Sequence, residues 1–158
     1  MNLRAKMIAS DLAFDAKVTA DYGDKSYTFS LNCKADTKGT LTFTVLEPTS
    51  IAGITGQISA NRGKLTFEDT ALGFELMADG QISPVAAPWV LIQTLRSGYL
   101  TSCCREGELL RLSIDDSYED DALHLDIWLD AGDIPKNADI YWQGRRLLTV
   151  EVENFRLL

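Results

Sequence analysis

The 158-residue sequence holds a single histidine, His124. No histidine pair can grip a metal ion, and any nucleophile–histidine dyad would have to be built on this one ring. Cysteine is nearly as scarce: Cys33 stands alone, and Cys103 and Cys104 are adjacent. An odd count without CxxC spacing is neither a disulfide framework nor a zinc site, so three free thiols are expected. There is no GxSxG elbow, no P-loop and no dinucleotide fingerprint. Nor does any apolar run approach the roughly 18 residues of a transmembrane helix. Basic residues are outnumbered, 15 against 23 acidic, and the resulting net charge of −8 repels phosphate backbones and anionic headgroups. Nucleic acid is therefore not an expected partner, and no cofactor is implied. The opening "MNLRAKMIAS" lacks the apolar core of a signal peptide. The protein is then cytosolic, or the chain is the mature part of an exported one.

What is present is globular composition, 46% hydrophobic and 24% charged, at a length that fits one domain over residues 1–158. A chain this long buries about two-thirds of the surface its unfolded form exposes and needs no disulfide to fold. Turn residues recur at short intervals, at 22–25, 36–39, 61–63, 70–73, 105–107 and 143–144. Between them apolar residues alternate with polar ones, as in Phe14, Ala16, Val18, Ala20 and again in Leu123, Leu125, Ile127, Leu129. A period of two between glycine-bearing turns predicts antiparallel hairpins with one apolar and one wet face. Eleven strands are expected, near 12–22, 26–36, 40–47, 56–60, 64–69, 73–78, 99–105, 108–114, 121–130, 138–143 and 146–155.

One stretch breaks the pattern. "SPVAAPWVLIQTLRSG", residues 83–98, has helix chemistry: Ser83 to cap, Pro84 at a first helical position, Gly98 for a left-handed stop. Pro88 removes a backbone donor, which predicts an irregular first turn with the regular helix starting near it. Trp89, Ile92 and Leu95 follow helical spacing, and Leu3, Met7 and Ile8 suggest a second, N-terminal helix. An apolar sheet face must be covered, so the helix at 83–98 is expected as its cover. Either it seals a packed core or it roofs a cavity for an apolar guest; spacing does not separate the two.

Polar residues point to little chemistry. His124 faces away from the apolar side with Asp126 and Trp128, the setting of a surface histidine beside a strand carboxylate. The run "DDSYEDD", 115–121, starts like a calcium loop but carries Asp120 where the sharp turn needs glycine and Asp126 where a bidentate glutamate belongs. It reads as a solvated hairpin tip. Glu68, Glu75, Asp126 and Asp130 could supply a glycosidase's two acids, yet nothing in their spacing makes them converge. Cys103 and Cys104, neighbours on one strand, should face opposite ways, one with Cys33 on the apolar side, giving one fast-reacting thiol and two slow ones.

A short N-terminal helix, six strands, a helical insert and five more strands is an order that resembles the lipoprotein-carrier superfamily, the LolA/LolB-like proteins. The wording of "LEPTSIAGITGQIS" (46–59), "LTFEDTALGFEL" (65–76), "PVAAPWVLIQTL" (84–95) and "PKNADIYWQGRRLLTVEVENF" (135–155) resembles Gram-positive lipoprotein members. The resemblance spans nearly the whole chain. It implies a mainly β fold, an unclosed antiparallel β-barrel of about eleven strands with a helical lid on its concave face. It also implies a non-enzymatic, monomeric, extracytoplasmic binder of a lipid or of the acyl chain of a lipoprotein, held outside the bacterial cell membrane by an N-terminal lipid anchor. No cysteine precedes Cys33, so that anchor would lie outside this chain. The ligand-binding positions it implies are Phe14, Val18, Phe29, Phe43, Leu112, Leu125 and Val150 on the sheet, with Trp89, Ile92 and Leu95 on the lid. The alternative is a cell-surface scaffold with a filled core that meets another protein through its outer face, at Trp128.

Overall fold

Each alternating run becomes a strand, and the strands pair in the order their turns dictate. A computed structural model describes residues 2–21, 26–59, 62–67, 70–75, 77–78, 81–82, 84–118 and 122–158, with backbone alone at 2–3, 62–67, 70–75, 77–78, 81–82 and 84. The expected turn at 22–25, the Ser83 cap, Glu68 and residues 119–121 of the acidic run lie outside the described residues. So do the side chains of Leu3 and Glu75.

The strands are β1 (Leu12–Asp21), β2 (Ser26–Ala35), β3 (Leu41–Glu47), β4 (Thr55–Ser59), β5 (Arg62–Phe67), β6 (Thr70–Glu75), β7 (Met77–Ala78), β8 (Gln81–Ile82), β9 (Tyr99–Glu106), β10 (Leu109–Asp115), β11 (Leu123–Leu129), β12 (Pro135–Trp142) and β13 (Arg145–Leu157). The helices are α1 (Asn2–Ala9) and α2 (Ala87–Ser97). Residues 70–73, expected as a turn, belong to β6, where Leu72 faces Leu65 and Ala71 faces Thr66.

Eleven strands form one sheet in the order β6-β5-β4-β3-β2-β1-β13-β12-β11-β10-β9, and β7 pairs with β8 in a separate ribbon. The chain runs outward hairpin by hairpin from β1 to β6, re-enters at the far edge as β9, and folds back until β13 closes on β1. The expectation of a barrel, even an unclosed one, is corrected by this order. Apart from the β1–β13 pair every link of the sheet joins chain neighbours, and among the described residues the sheet ends at β6 and β9, which do not pair. The sheet is open, and α2 is no lid on a concave barrel wall but the segment that connects its two halves while packing on its apolar face.

Register explains that face. One inward row runs Val18, Val150, Ala138, Ile127, Leu112, Cys103 from β1 to β9. The next runs Ala20, Leu148, Ile140, Leu125, Ile114, Leu100. Both rows are buried through β10 and emerge at β9, every residue of which is exposed. A register shift between Ser113 and Ile114 sets Leu100, rather than Thr101, opposite Ile114. That bulge is what turns Leu100 toward the apolar side.

Helix α2 begins as expected from its prolines: a 3₁₀ turn at Pro84–Ala86 leads into the regular helix, where Pro88 falls in the first turn and its missing N–H costs nothing. Its end corrects the expectation. Gly98 is extended, at φ −73°, not left-handed. Glycine is required there by space, because a Cβ would lie 2.5 Å from Ile114 Cγ2 and 2.7 Å from the Thr94 carbonyl.

Candidate functional site

The two apolar rows meet the two helices at the β9 edge, and there the packing stops short. Ile8 of α1, Leu95 of α2, Leu100 of β9 and Leu112 and Ile114 of β10 line an apolar cavity of about 380 Å³, with Arg4 and Ala5 completing the wall. Its size falls within the range of small-molecule pockets. Leu95, Leu112 and Ile114 are buried, whereas Ile8 and Leu100 are each about half exposed, at 51% and 52%. The cavity is therefore open on the side where α1 faces the edge strand.

Each wall has its own cause. Leu112 and Ile114 belong to the two inward rows, and Leu95 is on the sheet-facing stripe of α2. Ile8 stands at the end of α1, which Arg96 fixes in place. That buried guanidinium donates from Nε to the Met7 carbonyl at 2.9 Å, from Nη1 to the Asp36 carbonyl at 2.6 Å and from Nη2 to the Ser10 carbonyl at 3.1 Å. Burial lowers its pKa from the ordinary arginine value, and Asp36 and Asp11 oppose that shift. Arg4 returns the tie from the other helix, its Nε donating to the Leu95 carbonyl at 2.8 Å.

Of the ten positions expected to bind a ligand, Leu95 and Leu112 line this cavity. Phe14, Val18, Ile92, Leu125 and Val150 are buried in the packed core. Phe29 is half-buried on β2. Phe43 is buried with its ring packed over Gly56, where a Cβ would collide with it, and it also touches a polar groove of about 410 Å³ lined by Lys34, Thr42 and Gln57 among others. Trp89 is half-buried at the rim of α2, its indole Nε1 donating to the Gly39 carbonyl at 2.9 Å. Reading the sequence missed Ile8, Leu100 and Ile114 as cavity residues and Arg96 as their organiser. A basic side chain in the last turn of an otherwise apolar helix was the available signal for Arg96.

Among the described residues the outer face is polar and paired except at the buried Arg111 Nε, which has no hydrogen-bond partner. His124 places Nδ1 2.8 Å from Asp115 Oδ1 and Nε2 3.1 Å from Asp126 Oδ1, while Ser113 Oγ donates to Asp126 Oδ1 at 2.7 Å. The serine is thus bonded to the carboxylate and not to the ring, which is not the order of a nucleophilic triad. Trp128 Nε1 donates to Glu106 Oε2 at 2.8 Å, and the other oxygen of that carboxylate pairs with Arg111 at 2.8 Å. Asp130 ties its own turn, accepting from Gly132 and Ile134. Asp116 does the same at the acidic hairpin, accepting from the Leu123 N–H at 2.8 Å. Among the described residues no group of three or more His, Cys, Asp or Glu is placed to hold a metal ion.

The cysteines are free. Cys103 faces the apolar side opposite Leu112, and Cys104 the outer side opposite Arg111. Both are exposed because β9 is an edge, so the expectation of one fast thiol becomes two. Cys33 is buried on β2, separated from β9 by five intervening strands of the sheet, and burial, followed by Asp15, pushes its thiol pKa far up.

No protein-family model and no curated protein matches the sequence. Solved structures share its fold. An uncharacterised conserved protein from Thermus thermophilus superposes with a TM-score of 0.54 at 12% identity, over 99% of this chain and 84% of that one. A putative outer membrane lipoprotein-sorting protein domain from Vibrio parahaemolyticus gives 0.51 at 10% identity, over 99% and 89%. A LolA superfamily protein from Nitrosomonas europaea gives 0.50 at 8% identity, over 99% and 91%. At these identities the similarity to all three, the LolA superfamily protein included, is one of fold.

Proposed function

We propose that this protein is a non-enzymatic carrier that holds one apolar chain, of a lipid or of a lipoprotein, in the cavity between α1, α2 and the β9–β10 edge. The observation that carries the reading is the cavity itself. Five apolar side chains converge on about 380 Å³ that the core leaves unfilled, with an opening beside Ile8 and Leu100. Leu95 and Leu112 serve as its floor, and the buried residues Phe14, Val18, Ile92, Leu125 and Val150 hold the sheet and helix that frame it. The shared fold with a lipoprotein-sorting domain and a LolA superfamily protein supports the same role. The four quoted stretches favour a Gram-positive lipoprotein, working outside the cell and attached to the outer face of its membrane through a lipid anchor beyond this chain. None of the described helices is long and apolar enough to cross a membrane.

A second reading, a scaffold that meets another protein through its outer face, is favoured by Trp128, which presents an aromatic surface held by Glu106. Native mass spectrometry of freshly purified protein separates the two. A carrier arrives with a lipid-sized adduct that Leu100→Asp removes. Protein that flies without adduct, and that takes up no apolar probe when offered one, overturns the carrier reading.

A further inference from the structure

One charge lines the apolar cavity. Arg4 projects from α1, a helix whose sequence NLRAKMIA carries two basic residues and no acid. Its Nε donates to the Leu95 carbonyl at 2.8 Å, and Nη2 makes a long contact of 3.5 Å to the Thr94 carbonyl. The side edge of the guanidinium is thereby committed to the last turn of α2, chiefly to the Leu95 carbonyl, since the Thr94 carbonyl also accepts the Gly98 N–H at 2.8 Å. Nη1 makes no hydrogen bond, and no carboxylate pairs with Arg4, among the described residues. A guanidinium has five N–H donors in a rigid plane. With Nε engaged on one edge, the Nη1–Nη2 edge keeps the geometry that takes an oxyanion with two parallel bonds.

A half-buried cation at an apolar cavity, with its end-on edge unused, is an unusual place to leave a charge that no described carboxylate pairs with. We propose that the ligand is a single-chain amphiphile with an anionic head, carboxylate or phosphate. Its chain lies on Leu95, Leu100, Leu112 and Ile114, and its head on the free edge of Arg4. This rests on the carrier reading of the cavity and adds to it the chemical class of the head. The hydrogen bonds to α2 orient Arg4 before any ligand arrives, so little side-chain freedom is lost on binding.

The test measures binding of dodecanoate, dodecyl phosphate and dodecan-1-ol, each below its aggregation threshold, by isothermal titration calorimetry at pH 8. At least one anion should bind about tenfold tighter than the alcohol, the gain expected from one charge-assisted contact. Whichever anion is preferred identifies the head as carboxylate or phosphate. Arg4→Gln should erase the preference and Arg4→Lys should keep part of it, the readout being the ratio of anion to dodecan-1-ol affinity measured on the same variant. Because Arg4 also caps α2, Ala5→Glu gives a second route: it keeps the Arg4 side chain and sets a competing carboxylate on the same wall, so it should weaken the anions more than the alcohol. Equal affinity for all three probes, or a preference that survives both Arg4→Gln and Ala5→Glu, overturns the anionic head and leaves the apolar site standing. Failure of all three to bind the wild-type protein removes the carrier reading and this inference with it.

Discussion

Arg96, in the last turn of α2, donates from Nε to the Met7 carbonyl at 2.9 Å and so joins the two helices that frame the cavity. The same side chain reaches Asp36 and Ser10, which makes one cation the meeting point of α1, the β2–β3 turn and α2. Arg96→Met keeps the stem's apolar volume but leaves three carbonyls without their donor. It should cost about 3 kcal/mol, the scale of losing hydrogen bonds to a buried charged group. Urea unfolding measures this; a loss under about 1 kcal/mol would mean water replaces the guanidinium and the site is not buried as described.

Gly98 and Gly144 should fail for different reasons when changed to alanine. At Gly98 the backbone is ordinary, but the new Cβ meets Ile114 and the Thr94 carbonyl, and overpacking of this kind costs about 1–3 kcal/mol. At Gly144 nothing lies within 4 Å, yet φ is +80°, so the cost of about 1–2 kcal/mol is conformational. Combining Gly98→Ala with Ile114→Val should recover part of the first loss. Failure of that rescue would place the clash on the Thr94 carbonyl alone.

These features mark where the sequence was legible and where it was not. Alternation displayed the faces of the strands, because a side chain's face depends only on its parity along the chain. It could not display whether the sheet closes, since that depends on the distance between β6 and β9, which share no register. Leu100 was hidden by the bulge at Thr101, which changes parity without a glycine or proline to announce it. Arg96 was hidden because its three partners come from remote segments, and Gly98 was misread because glycine serves both left-handed backbone and close approach.

The thiols separate by accessibility. Cys103 and Cys104 should alkylate quickly in the native state, and Cys33 only on unfolding, because its burial both blocks the reagent and disfavours the thiolate. Intact mass after brief treatment at pH 8 should show two additions, rising to three in denaturant. A native product with one addition would mean that β9 is covered in solution.

Asp130 gives the stability a defined acid dependence. The Ile134 N–H, then that of Gly132 and the Lys136 ammonium, hold its carboxyl below the ordinary range against an opposing effect of burial. A folded-state value below the unfolded one contributes stability above the unfolded pKa and loses it as pH falls through the folded value. Asp130→Ala should therefore lower the melting temperature at pH 7, and the gap from wild type should close as pH drops below the usual carboxylate range. A gap that stays constant down to pH 2 would show that the side chain acts by packing, not by charge.

Leu112 and Ile127 sit side by side on one inward row, and truncating each tests whether the cavity is real. Ile127 is fully buried in the core cluster, so Ile127→Ala should cost about 3–4 kcal/mol, as large-to-small changes in a packed core do. Leu112 already borders unfilled space, so fewer of its contacts are lost and Leu112→Ala should cost about 2 kcal/mol. The removed methyl groups enlarge the cavity, and an apolar ligand that refills it would restore stability by mass action. Saturating dodecan-1-ol should then raise the melting temperature of Leu112→Ala more than that of wild type, and leave Ile127→Ala with only the wild-type shift. Equal costs for the two truncations, with no ligand-dependent recovery at Leu112, would mean that the β9 edge closes over the site and that the space is filled by the protein's own side chains.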